Sequence, residues 1–246
     1  MNLRAFRKTL TLAALTTTSL FLIGQAVARQ NIQGQVLGGG APIANSTVTL
    51  WEASEGARKQ LAQTKTNGDG RFEIRGKGAH NDAILYVIAA GGEAKAKKGS
   101  EENPAIVLLS VLGNHPPEKI VVNELTTVAS AFTAARFISG QAISGNPLGL
   151  RIAAGNAPNL VDPATGTWGK VLLDPLNSSR TTTMADLDTL GSLITAYFTI
   201  ANDDWRGRFL KAATPPSGVA PKDTLEAMAN IARTHPRRQA PERAVK

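Results

Sequence analysis

The sequence predicts a mixed all-β plus all-α architecture, an antiparallel β-sandwich followed by a small helical domain, and two observations carry that expectation. From residue 31 to about 122, short alternating or apolar runs are separated by Gly, Pro, Asn and Asp, the pattern of strands joined by tight turns. After residue 122 the apolar period lengthens from two to about 3.6, the spacing of one helix face. A third observation sets the compartment. Arg4, Arg7 and Lys8 precede a mostly apolar run at 10–24, and "AVA" follows at 26–28. A basic start, a short apolar middle and small residues at −3 and −1 are the parts of a secretory signal peptide. The run holds four threonines and is shorter than the ~20 apolar residues of a membrane span. The expectation is therefore cleavage after Ala28, with residues 1–28 outside the fold and a periplasmic or extracellular protein.

The strands follow in order. "NIQGQVL" (31–37) is the first, and "GGGAPIAN" (38–45) reads as a loop of turn formers. "STVTLWE" (46–52) alternates, with Val48 and Leu50 on one face and Thr47, Thr49 and Trp51 on the other. "QLAQTKT" (60–66) and "RFEIR" (71–75) flank a short connection; Phe72 and Ile74 are predicted inward, Arg71, Glu73 and Arg75 toward water. "AILYVIA" (83–89), "AIVLLSV" (105–111) and "KIVV" (119–122) are richer in apolar residues, as central strands are. Strands of this number and spacing predict a sandwich spanning 29–122.

The connection "TNGDGR" at 66–71 carries oxygen ligands and invites a calcium reading. An EF-hand-type loop needs acidic or amide oxygens at positions 1, 3 and 5, glycine at 6 and a bidentate Glu at 12. With Asn67, Asp69 and Gly70 at 3, 5 and 6, Lys65 falls at position 1 and Gly76 at position 12. An ammonium replaces the first carboxylate and the closing carboxylate is missing. The loop is read as a turn, with Gly68 and Gly70 free to take positive φ and Asn67 and Asp69 bonding local backbone.

On these residues the segment resembles a carboxypeptidase-regulatory-like domain, a transthyretin-like (prealbumin-like) β-sandwich. The pattern G-x-V…G-x-P-I-x-x-x-x-V-x-L…T-x-T-x-x-x-G-x-F is met by Gly34, Val36, Gly40, Pro42, Ile43, Val48, Leu50, Thr64, Thr66, Gly70 and Phe72. The resemblance implies a module of exported and surface proteins that carries none of the chemistry of the peptidases it accompanies.

The helical domain is predicted over 123–235. "VNELTTVASAFTAARFISG" (122–140) spaces Leu125, Val128, Ala129, Phe132 and Ala135 along one face, with Asn123 as N-cap and Gly140 as stop. In "TTTMADLDTLGSLITAYFTIA" (181–201), Thr183 and Asp186 have capping-box spacing and Leu187, Leu190, Ile194 and Phe198 form the buried stripe. Residues 203–213 and 221–235 read as two shorter helices, and the Gly-, Asn- and Pro-rich stretch between the first two helices reads as connection. "VNELTTVASA", "GLRIAAGNAPNLVDPATGTWGKVL" and "LKAATPPSGVAPKDTLEAMANIARTHP" resemble the helical segment that follows such sandwiches in large exported proteobacterial proteins, often ahead of an NHL-type β-propeller. That resemblance implies extracytoplasmic recognition. Two departures stand out: "TAYFTIANDDWRGR" (195–208) has no cysteine where relatives often carry them, and a basic tail at 236–246 stands where a propeller would begin. The sequence thus reads as a short or truncated member.

Composition narrows the function. The chain has no cysteine, which removes thiol catalysis, thiolate metal sites and lipid attachment through sulfur. Its net charge is +8; subtracting Arg4, Arg7 and Lys8 leaves a mature charge of about +5, which favours anionic lipid or wall polymer as a partner. Aromatics are only 5% and no nucleic-acid motif accompanies the charge, which argues against nucleic acid. His80, His115 and His235 are isolated among loop formers, and no zinc spacing, G-x-S-x-G or P-loop occurs. "NDD" (202–204) and "NELTT" (123–127) are read as helix caps rather than as metal or ligand sites; the sharper alternative is that Glu124, Thr126 and Thr127 line a ligand pocket. No residue is assigned a catalytic, cofactor or metal role. The expectation is a non-catalytic binding or structural module acting through the loops at 38–45 and 75–82; the alternative is an envelope hydrolase of peptides or polysaccharides. N-terminal sequencing of the exported protein should begin at Arg29, and recovery of an intact Met1 chain from the cytosol would overturn the export reading.

Overall fold

The computed structural model describes residues 28–234 apart from 81, 97, 100, 201 and 217. Of the predicted signal peptide 1–28, only Ala28 is described, and it opens β1 opposite Ala79 rather than standing outside the fold; residues 1–27, His235 and the basic tail lie outside the described residues. Nine strands form two sheets: β1 (Ala28–Gly38), β2 (Ala41–Ala44), β3 (Thr47–Ala53), β4 (Lys59–Lys65), β5 (Arg71–Ala79), β6 (Ile84–Ala90), β7 (Glu93–Ala94), β8 (Val107–Gly113) and β9 (Lys119–Val122). One sheet runs β5-β1-β2-β7 with β9 also on β1, and the other runs β4-β3-β6-β8. The pairings are antiparallel except that β9 lies parallel to β1, Gln33 opposite Lys119 and Val36 opposite Val122. All seven expected strands are present. The segment 38–45, expected as loop, contains β2, because Pro42 and Ala41 continue the hairpin from Leu37 and Gly38. Residues 75–79, also expected as loop, extend β5 along β1 to Ala79.

Ile32, Val36, Phe72 and Ile74 of the first sheet meet Val48, Leu50, Leu85, Val87 and Leu108 of the second to form the sandwich core. Gly34 makes room in it, since a Cβ there would lie 2.4 Å from the Phe72 ring and 2.8 Å from the Ile120 carbonyl. Gly70 has φ 70°, and a Cβ would meet the Val36 carbonyl at 2.5 Å. Gly68 does not adopt positive φ. Thr66 ties this corner together: its buried hydroxyl accepts from the Ser46 amide at 2.9 Å and donates to the Ile43 carbonyl at 2.8 Å.

The helices are α1 (Glu124–Ala134), α2 (Pro147–Leu160), the short α3 (Lys170–Leu173) and α4 (Pro175–Ser178), α5 (Thr183–Thr199), α6 (Asp203–Ala212) and α7 (Thr224–Thr234). Two-residue hairpins β10 (Ile138–Ser139)–β11 (Ala142–Ile143) and β12 (Val161–Asp162)–β13 (Thr167–Trp168) connect them. Asn123 caps α1 in a full capping box with Thr126. The helix ends at Ala134, ahead of Gly140, which instead turns the β10–β11 hairpin at φ 55°. The connection expected between 141 and 180 holds α2: Asn146 caps it through Gly149 and Pro147 sits at its start, the usual place for proline. The box expected at Thr183 and Asp186 is replaced by Thr182, whose hydroxyl donates to the Asp186 carboxylate at 2.9 Å.

The helices do not form a separate core. Val128, Ala131, Leu187, Ile194 and Phe198 join the sandwich interior. On the outer face of the second sheet, Tyr86, Ile88, Leu109 and Val111 pack against Leu150, Ala153, Ala154 and Ala157 of α2 and Leu225 and Ala229 of α7. The Tyr86 hydroxyl, fully buried there, accepts from the Ile143 amide at 3.2 Å. Of the α1 stripe expected from sequence, Val128 and Ala129 are buried while Leu125 and Phe132 are only half-buried. Thr126, Thr127 and Ser130 are buried instead.

Those hydroxyls close the edge of the second sheet. The Leu109 amide donates to Thr127 Oγ1 and the Val111 amide to Ser130 Oγ, both at 3.0 Å. From α7, Thr224 Oγ1 accepts from the Val107 amide at 3.0 Å and donates to its carbonyl at 2.7 Å. Three residues of helix advance ~4.5 Å and two of strand ~6.8 Å, so one helix cannot follow the edge for long and a second supplies the third contact. Thr127→Val keeps the shape and strands a buried amide, a loss of about 1–3 kcal/mol. The exposed Thr189→Val on α5 should stay within about 0.5 kcal/mol. Denaturant midpoints at unchanged m-value check both.

Candidate functional site

Strand alternation turns Gln33, Gln35, Arg71, Glu73 and Lys119 away from the core, on the face of the first sheet that no helix covers. Register then brings them together, Gln33 beside Glu73 and Lys119, and Gln35 beside Arg71 and Val121. They line an open cleft of about 560 Å³ whose floor is β1. One wall is β5 and Asn67; the other is β9 and Ala164, from the β12–β13 turn. That turn is fixed by the Val121 amide donating to the Pro163 carbonyl at 2.9 Å and by Asn123 Nδ2 donating to the Gly166 carbonyl at 2.9 Å. Asn67 Oδ1 accepts from the amides of Asp69 at 3.0 Å and Arg71 at 2.9 Å, holding the opposite wall. The loop's amide oxygen therefore organises the turn.

Several polar groups in the cleft are already engaged. Gln35 Nε2 donates to the Asp69 carbonyl at 2.8 Å, and Glu73 pairs with Arg75 at 2.7 Å. The exposed side chains of Gln33, Arg71 and Lys119 have no hydrogen-bond or ion-pair partner among the described residues. A second cleft of about 630 Å³ lies between the β10–β11 turn, residues 219–222 and α7. Its polar groups hold the fold: Arg233 bonds the carbonyls of Ala135 and Ile138 and the Asn230 side chain, and Glu226 accepts from the Lys222 amide.

The residues weighed on sequence are scattered. His115 is exposed in the β8–β9 turn. His80, beyond the end of β5, is not merely solvated: its Nδ1 is hydrogen-bonded to a carboxylate oxygen of Glu52, which is 4% exposed at the end of the sandwich. The other Glu52 oxygen accepts no hydrogen bond and lies 4.0 Å from Lys59 Nζ. Asn202 caps α6 through the amides of Asp204 and Trp205, with Asp203 and Asp204 in the first turn. Thr126 and Thr127 serve the cap and the sheet edge. The described residues contain no group of three or more His, Cys, Asp or Glu placed to hold a metal.

Glu124 is a half-buried carboxylate at the junction, with one oxygen fully enclosed. Burial pushes its carboxyl above the ordinary range; hydrogen bonds from its own amide, the Thr195 hydroxyl at 3.1 Å and the Gly39 backbone pull the other way. Its second oxygen has no partner. Burial likewise raises Asp223, the cap of α7, against bonds from the Glu226 and Leu225 amides and the Gln141 side chain.

Residues 33–95 match the model of the transthyretin-like family, and the antiparallel sheets agree with a transthyretin-like domain there. No curated protein matches the chain. Among solved structures, a 9R-lipoxygenase from Cyanothece PCC8801 aligns at 16% identity and a TM-score of 0.25, over 38% of this chain and 15% of that one, too slight a likeness to carry an argument. No helix among the described residues is long and apolar enough to cross a membrane.

A folded-state pKa raised above the unfolded value means that the carboxyl's contribution is fully present below the unfolded pKa and is lost as pH rises through the folded one. Glu124 and Asp223 should therefore both make stability fall as pH rises above their ordinary values of 4.5 and 3.8. Glu124→Gln should flatten that part of the curve relative to wild type, with unfolding measured at each pH. An unchanged difference between the two proteins across the range would show that Glu124 does not titrate in this window.

Proposed function

We propose that this protein is an exported, non-catalytic recognition module of the periplasm or cell surface, related to the carboxypeptidase-regulatory-like sandwiches, with its binding surface on the uncovered face of the first sheet. The observation that carries the reading is the cleft over β1, in which Gln33, Arg71 and Lys119 are presented on rigid strands without side-chain partners among the described residues. A sheet face fixes such groups more firmly than a loop does. The resemblance of the helical part to segments that precede NHL-type propellers in exported proteins supports a role in extracytoplasmic recognition. The basic charge supports an anionic partner from the envelope, lipid or wall polymer.

A hydrolytic reading has one observation in its favour, the Glu52–His80 pair. A carboxylate on Nδ1 fixes the imidazole tautomer that leaves Nε2 as a base, the arrangement of many general-base sites. His80 faces solvent at 74% side-chain exposure, and a water-excluded site is what makes such a pair effective. Purified protein should show no turnover of peptide or glycan substrates. Hydrolysis abolished by His80→Ala and by Glu52→Gln would replace the recognition reading with the catalytic one.

A further inference from the structure

Two cations and one anion line the cleft over β1, and their placement restricts what can fill it. β5 and β9 flank β1, and Arg71 stands opposite Gln35 while Lys119 stands opposite Gln33. Two strand spacings across and two residues along put their Cα atoms roughly 12 Å apart. The guanidinium and the ammonium therefore reach into the cleft from opposite walls and diagonally opposed corners. Gln33 adds between them an amide without a partner among the described residues. Glu73 adds an acceptor that its exposed pairing with Arg75 engages only weakly.

This set suits an anion that also carries hydroxyls. A bare polyphosphate would meet Glu73 as a like charge, whereas a sugar hydroxyl donates to it. An extended peptide gains its affinity from backbone pairing at a sheet edge. The β9 edge here already receives the Pro163 carbonyl, and the cleft floor is a sheet face with its backbone groups paired. A lipid headgroup would need apolar surface beside the cleft; of its apolar lining residues Phe72 and Ile120 are buried in the sandwich core, which leaves the half-buried Val121 and Ala164.

We propose that the cleft over β1 binds an acidic polysaccharide, a carboxylated sugar meeting Arg71 or Lys119 while neighbouring hydroxyls bond Gln33 and Glu73. This deepens the recognition reading above and rests on it. An oligogalacturonate, its methyl-esterified neutral form and inorganic phosphate are titrated calorimetrically into the exported chain. The acidic oligomer should bind, the esterified form and phosphate at least about tenfold more weakly. Arg71→Ala and Lys119→Ala should each weaken the acidic oligomer about tenfold with unchanged melting temperature, and binding should fall with added salt. Lys77→Ala, on the same strand but outside the cleft, should change nothing. Binding that survives both cleft substitutions would overturn the site and leave recognition standing. Equal affinity for the esterified form, or no binding of either oligomer, would overturn the ligand class. Shortening of the oligomer during titration would overturn the non-catalytic reading instead.

Discussion

The outer edge of β8 is the constraint around which the helical half is arranged. The strand is flanked by β6 on one side only, and its outward amides at Val107, Leu109 and Val111 lie in the interior of the protein. Buried amides without partners are costly. Another strand would solve the problem; here three hydroxyls do, from Thr127 and Ser130 of α1 and Thr224 of α7. Two helices far apart in sequence are thereby held at one edge, and the edge is closed to pairing with other chains. The same contacts explain why α1 buries polar residues on the side where an amphipathic helix would place leucines.

With α1 and α7 fixed at that edge, α2 is laid across the outer face of the second sheet. Its Ala153, Ala154 and Ala157 let the helix approach the apolar residues of β6 and β8 closely. Both faces of this sheet are then covered at β6 and β8, and β6 reads as an unbroken apolar run while β8 is interrupted only by Ser110. The first sheet has only one covered face. Its other face is polar, with glutamines, Arg71 and Lys119 where an alternating strand directs them. The proposed binding surface is therefore the face of the first sheet that stays open, and the β12–β13 turn from the helical half completes one wall of its cleft.

Two carboxylates, one half-buried and one buried, mark the places where the two halves meet. Glu124 stands at the start of α1 against the β1–β2 turn and α5, and Asp223 caps α7 while accepting from Gln141 beyond β10. Each is raised by burial despite its hydrogen bonds. Helix capping explains an acid at either position; the desolvation follows from packing on the sandwich, which a helix alone in water would not impose.

Local patterning alone determined the strands, their inward faces, the Asn123 and Asn202 caps and the four helices with clear apolar periods, because alternation and capping act over a few neighbouring residues. The α2 helix was legible in principle from Asn146 and Pro147, but its small residues and glycines dilute the apolar period that marks a helix. β2 was hidden because glycine and proline signal a turn even where the chain pairs immediately afterwards. The candidate cleft was half legible: the period-two pattern exposes Gln33 and Arg71, yet nothing near Lys119 says that it stands beside Gln33. That neighbour relation comes from the parallel return of β9 along β1, more than eighty residues away in sequence. The hydroxyls on β8 and the carboxylate on His80 belong to the same class. Their partners lie 18, 19, 117 and 28 residues away, and only the folded chain brings such groups within hydrogen-bonding distance.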